Sequence, residues 1–199
     1  MILKAENIVK SFGKKKVLED LSFSMKAGTL NGIVGENGSG KSTLLKIIVG
    51  QWQADKGEVT IEGRIGYCPQ EPLIFKQLTV EEHFHYFSAA YGLEKNSWQP
   101  QCETLLEHFN FKQYRTDMVY KLSGGTQQKL NLSLALLHQP KLLILDEPYN
   151  GFDWDTYLCF WEFTDKMLKK ECAILVVTHL LNEKDRFDRI YNLKNGCLE

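Results

Sequence analysis

Residues 35 to 43 read GENGSGKST, and no other stretch narrows the folding choices of this chain so far. The pattern is a glycine, four residues, then Gly-Lys-Ser, with the apolar Ile33-Val34 before it and Leu44-Leu45-Lys46-Ile47-Ile48 after it. A strand, a tight loop and a helix are expected in that order, the helix from about Lys41 to Val49. Glycines let successive backbone N–H groups point into one concavity, and a helix N-terminus adds partial positive charge there. Gly35, Asn37, Gly38, Ser39 and Gly40 would form a phosphate cradle, and Lys41 would bring a full charge to the β- and γ-phosphates. Ser42 would place its hydroxyl on Mg2+, and Thr43 would reach the α-phosphate.

The remainder of the chain fits an α/β fold around that loop. LLILDE at 142 to 147 is a short apolar run typical of a buried parallel strand, with Asp146 at its carboxyl end, where open α/β sheets bind ligands. One carboxylate there can hold a metal shell while the next, Glu147, polarises an attacking water as general base. AILVVTH, ending at His179, reads as another buried strand, and Asn195-Gly196 as a hairpin turn. ILKAENIVKSF and VLEDLSFSMKAGTLNGIVG alternate as strands do, with a turn at Ala27-Gly28, and GEVTIEGRIGYCPQ suggests two short strands about Gly63. Strands alternating with helices indicate a mainly parallel sheet covered on both faces.

After Pro72 the texture becomes helical. Thr79 with Glu82 three residues later is a capping-box signal for a helix bearing Phe84, Phe87 and Tyr91 and stopped by Gly92. A second helix is expected after Pro100, carrying Leu105, Leu106 and Phe109. Residues 72 to 121 thus read as a helical insertion. Ser123 can cap a further helix running to about His138, and Trp154, Tyr157, Leu158, Trp161 and Leu168 fall at helical spacing as a stripe expected to be buried.

Composition excludes several classes of protein. The 199 residues carry a net charge of -1, which gives no overall electrostatic reason to expect nucleic acid. Five widely spaced cysteines without a CxxC pair fit neither a disulfide framework nor a zinc site, and are expected as reduced thiols. No apolar run is long enough to cross a membrane or to serve as a secretory signal, so work at a membrane would need another chain.

One motif is still unexplained: LSGGTQQK at 122 to 129, a second serine and glycine pair at the head of a helix. With GENGSGKST, YCPQEP, LLILDEP, NGFD and VVTH in suitable order, it makes the whole chain resemble the ATP-binding subunit of ABC transporters. The resemblance implies a P-loop NTPase with an antiparallel β subdomain and an inserted helical subdomain at 72–121, residues 1–71 and 122–199 forming the core of a single domain. It also implies that Ser123, Gly124 and Gly125 close over ATP held by a second ATPase subunit, in a homodimer or heterodimer. Gln70 would touch Mg2+ and the attacking water, His179 would contact the γ-phosphate and orient Glu147, and Asp153 would lie on a loop crossing the dimer interface. Phe12 stands where the family stacks an aromatic ring, most often tyrosine, on adenine. Thr126 and Lys129 replace a frequent glutamine and arginine without removing a phosphate donor.

LTVEEHFHYFSAAYG resembles the exporter-like branch, in which a separate transmembrane permease chain holds the ATPase at the cytoplasmic face of the membrane. No regulatory domain of the kind that many importer ATPases append is expected after Glu199. The competing expectation is a soluble ABC ATPase acting on a ribosome, DNA or a cytosolic assembly. Its usual marks, two cassettes joined by a basic linker or a cassette split by a long coiled coil, are absent from this sequence.

Overall fold

The computed structural model describes residues 1–149, 151–179 and 183–199. Strands β1 (Leu3–Phe12), β2 (Lys15–Met25) and β4 (Lys56–Ile61) form an antiparallel sheet in the order β2-β1-β4. A six-stranded sheet, ordered β5-β6-β7-β3-β8-β9, combines β5 (Ile65–Cys68), β6 (Leu142–Asp146), β7 (Ala173–Thr178), β3 (Leu30–Val34), β8 (Arg189–Lys194) and β9 (Cys197–Leu198). Its first five strands are parallel, and β9 turns back through Asn195 and Gly196, with φ of 50° and 80°, as a two-residue hairpin requires. The strands on either side of Gly63 do not pair with each other: β4 joins the antiparallel sheet and β5 the parallel one.

The central strands are apolar throughout because both their faces are covered. Leu143, Leu145, Ile174 and Val176 face a core shared with α2 (Val80–Ala90), α3 (Lys95–His108), α4 (Gly124–Leu136) and α5 (Trp154–Lys169). Leu142, Ile144, Leu175 and Val177 face the other core, shared with α1 (Lys41–Ile48) and the antiparallel sheet. Every residue of α4 from Leu130 to Leu136 is buried, so this helix is packed on all sides rather than amphipathic.

Two expectations need correcting. The second helix of the 72–121 stretch begins at Lys95, and Pro100 lies inside it. Proline removes one helical hydrogen bond, but Trp98, Cys102 and Leu105 share a face and are buried, which holds the first turns in place. In α5 the aromatic stripe is only partly core: Trp161 is 3% exposed, but Trp154 is 70% and Leu158 44% exposed. The buried face of α5 runs through Thr156, Phe160, Phe163, Thr164 and Met167, which puts Trp154 and Leu158 on the opposite side. The Thr79 capping box forms as expected, and α4 stops at Leu136, just short of His138. All five cysteines are free.

Candidate nucleotide site

The parallel register explains how motifs far apart in sequence come together. Val34 pairs with Thr178, Asp146 with Val177, and Cys68 with Leu145. The segments leaving β3, β7, β6 and β5 therefore emerge at one edge of the sheet. They carry, respectively, the GENGSGKST loop, His179, Glu147 and Gln70.

The loop is shaped as its residue types suggest. Gly40 caps α1 at φ 109°, a conformation that side chains resist, so a glycine is needed where the loop turns into the helix. Lys41 folds its ammonium back over the loop, donating to the Gly35 carbonyl at 2.6 Å and the Glu36 carbonyl at 3.1 Å. Asn37, Gly38 and Ser42 are exposed, and Thr43 is half-buried. Lys15, Lys16 and Lys194 border a cavity that also includes Asn37, Gly38 and Ser39. These three lysines add to the positive charge around the loop and carry no motif by which the sequence could have marked them.

Asp146 and Glu147 are both buried. Burial, with the neighbouring Glu147 charge, pushes the Asp146 carboxyl up to about 6, and Lys41 partly offsets this. A divalent cation would relieve that cost, and the exposed Ser42 hydroxyl offers a second oxygen ligand, so the residues fit Mg2+ held by few protein groups. Ser39 Oγ is buried without a hydrogen-bond partner among the described residues, an orphan polar atom in the wall of the cradle.

Glu147 sits at φ 48°, in the left-handed region, its N–H donating to the Val177 carbonyl at 2.8 Å. This unusual backbone turns its carboxylate toward the end of β7. Oε2 accepts from Thr178 Oγ1 at 2.8 Å, and Oε1 accepts from the His179 N–H at 2.9 Å. His179 Nδ1 lies 2.8 Å from the same Oε1, placed to donate to it. The carboxylate is thus fixed by three donors, and the imidazole stays half exposed beside Gly35, Glu36 and Asn37 in one cleft. Sequence reasoning paired His179 with Glu147 but missed Thr178, whose hydroxyl faces inward from an otherwise apolar strand.

Other expected residues lie further out. Gln70 is exposed just beyond β5. Phe12 is 47% exposed and meets Trp52 edge-on with ring centroids 5.3 Å apart, and Lys46 Nζ lies 4.4 Å from the centre of the Trp52 ring. Trp52, distant in sequence from Phe12, carried no local signal. Ser123 caps α4, its Oγ accepting from the Thr126 N–H at 3.2 Å. Gly125 lies so near Gly151 that an added Cβ would come within 2.6 Å of the Gly151 carbonyl oxygen. Asp153 caps α5, accepting from the Thr156 N–H at 2.8 Å, and the Thr156 side chain together with this backbone bond holds its carboxyl below the usual range. Asn150 of the NGFD stretch lies outside the described residues.

Comparison with known proteins agrees with this geometry. A family described as ABC transporter matches residues 18–150. An uncharacterised ABC transporter ATP-binding protein of Methanocaldococcus jannaschii is 32% identical over 98% of this chain and 74% of its own length. The Nod factor export ATP-binding protein I of Bradyrhizobium diazoefficiens is 32% identical over 99% of this chain and 69% of its length. ABC transporter G family member 20 of Dictyostelium discoideum is 31% identical over 98% of this chain, and the chain spans 28% of that protein's length. Among solved structures, an ATP-binding subunit of an ABC transporter superposes with a TM-score of 0.95 at 28% identity, covering 100% of this chain and 88% of its own. The ADP conformation of an ATP-binding cassette gives 0.82 at 28% identity, covering 100% and 89%. The fold is that of a P-loop ATPase, and the chain belongs to the ABC transporter family, carrying its ATP-binding and ATP-hydrolysing cassette.

Proposed function

We propose that this chain powers a separate transmembrane permease by pairing head to tail with a second ATPase subunit, identical or related, around two MgATP. In this reading each Ser123-Gly124-Gly125 loop completes the site on the other subunit's phosphate loop, and hydrolysis reopens the pair. The observation that carries the hydrolytic half is the Glu147 carboxylate, fixed by Thr178 and His179 at the strand ends next to the phosphate loop.

The roles follow from chemistry and position. Lys41 and the loop N–H groups bind the phosphates, Phe12 stacks on the base, and Ser42, Asp146 and Gln70 would hold Mg2+. The ion would supply neutralising charge on the phosphate oxygens. Glu147 accepts a proton from the attacking water and positions it for in-line attack. His179 orients Glu147 through Nδ1 and leaves its Nε2 for the γ-phosphate side of the cleft. Asp153 lies on the segment that links the two sites across the dimer.

Residues 72–121 would act as a helical subdomain receiving the permease, with 1–71 and 122–199 as the core of one domain. Among the described residues no helix is long and apolar enough to cross a membrane, so a permease would supply attachment to the cytoplasmic face. Similarity to a protein named for Nod factor export supports an exporter-like role, and the permease would select the substrate.

Glu147→Gln tests the composite site. The variant should bind ATP, lose hydrolysis by two orders of magnitude or more, roughly the contribution of a general base, and accumulate as an ATP-dependent dimer in light scattering. No ATP-dependent association, alone or with its permease, would overturn the head-to-tail reading. Purification of the tagged chain from cross-linked cells provides the partner test: a polytopic membrane protein supports transport, and ribosomal or other soluble partners alone exclude it.

A further inference from the structure

A side chain on α4 reaches the start of the Gln70 segment. Asn131 is buried between Leu130 and Leu132 of that helix, and a bare carboxamide there would be costly without partners. Its Nδ2 donates to the Pro69 carbonyl at 3.0 Å and lies 3.3 Å from Cys68 Sγ. The Pro69 carbonyl belongs to the peptide that joins Pro69 to Gln70, so this one bond orients the backbone from which the Gln70 side chain departs. Gln128 Nε2, at 3.9 Å from Cys68 Sγ, adds a weaker contact from the same helix.

The far end of the segment is held as well. His83 of α2, fully buried, accepts the Phe75 N–H on Nε2 at 2.8 Å, while its Nδ1 lies 2.7 Å from the Thr79 carbonyl. The Tyr120 N–H donates to the Lys76 carbonyl and the Val119 N–H to the Leu78 carbonyl, which fixes the residues leading into α2. Between Asn131 and His83 the chain from Gln70 to Ile74 has no other such side-chain anchor among the described residues. The first turn and the middle of α4 thus do different work: the first turn presents Ser123 and Gly125, and two turns on Asn131 grips the head of the Gln70 segment.

We propose that Asn131, through its bond to the Pro69 carbonyl, is a positioning residue for Gln70 that makes Gln70 and the Ser123-Gly124-Gly125 loop move as one body. This rests on the reading of Gln70 as a reaction-site group. Under that reading Gln70 serves the ATP held by its own chain and Ser123 the ATP held by the partner, so the Asn131 bond ties the two sites together through a single rigid helix.

Asn131→Leu keeps nearly the same shape and removes the donor. Cys68→Ala is the control, since it disturbs packing in the same pocket but leaves the Pro69 bond intact. In the full chain, Asn131→Leu should lower kcat about tenfold while the Kd for mant-ATP stays within about twofold, because only orientation at the reacting atoms is lost. Cys68→Ala should leave both unchanged. Backbone 15N relaxation gives a readout independent of hydrolysis: order parameters of Gln70, Glu71 and Leu73 should fall from about 0.85 to below about 0.6 in Asn131→Leu, as expected for loss of a local anchor. Unchanged order parameters would overturn the tether even if the wild-type chain hydrolysed no ATP, an outcome that would count separately against the function proposed above. Lowered order parameters with kcat within about twofold of wild type would overturn the positioning role. Equal losses in Asn131→Leu and Cys68→Ala would assign the effect to packing and overturn both.

Discussion

At the scale of single residues, the site carries a cost that substitution can expose. Asp146 is an ionised carboxyl in a buried place, its affinity for a proton raised by burial and by Glu147. Asp146→Asn removes a buried charge that Lys41 offsets only in part, so at neutral pH without nucleotide or Mg2+ the variant should melt a few degrees higher, a gain on the order of 2 kcal/mol. Its Mg2+-dependent hydrolysis should be lost. Calorimetry with and without Mg2+ checks both, and a lower melting temperature without the metal would contradict the electrostatic account. The sequence placed Asp146, Glu147 and His179 at strand ends because apolar runs stop there. It could not show that Thr178 and the His179 N–H would also hold Glu147, since those bonds depend on a left-handed turn at Glu147 and on the pairing of β6 with β7.

At the scale of elements, helix ends and close approaches decide what tolerates change. Gly125→Ala puts a methyl group against the Gly151 carbonyl, so the head of α4 or the loop before α5 must shift. A stability loss of about 1–3 kcal/mol is expected, together with loss of ATP-dependent association, both measurable on the same protein by urea titration and light scattering. His83 makes the α2 contact sensitive to pH. Burial holds its pKa below the ordinary histidine value, while the Thr79 carbonyl and the Glu82 charge act weakly the other way. The unfolded chain then binds the proton more readily, so the stability His83 contributes is present above the ordinary histidine pKa and is lost as pH falls through the lowered value. In His83→Gln that part of the acid-side decline should disappear, a comparison that chemical unfolding at pH 7.5 and 5.5 can make. Local sequence foretold the capping box of α2 and the cap of α4, because each needs only residues three apart. It failed at Pro100 and Trp154, where tertiary packing determines which turns are held and which face is inward.

At the scale of the whole molecule, two cores lie on opposite faces of one parallel sheet, and the fold is expected to unfold as a single cooperative unit. Leu105→Ala, on the helical side, and Leu44→Ala, on the α1 side, should each cost about 2–5 kcal/mol, and their effects should add within about 0.5 kcal/mol in one unfolding transition. Two separate transitions would show that the layers unfold independently. The sequence by itself determined the phosphate loop, the polar residues at the strand ends and the alternation of strand and helix, because backbone geometry and side-chain chemistry within a few residues specify them. It also supplied enough ordered motifs to reveal the family. Only the tertiary structure decided which strands lie side by side, and hence that Lys41, Asp146, Glu147 and His179 share one edge, that Trp52 joins Phe12, and that Asn131 reaches Pro69. Those contacts join residues far apart in the chain, and a single sequence carries no local signal for an interaction whose two halves meet only when the sheet is assembled.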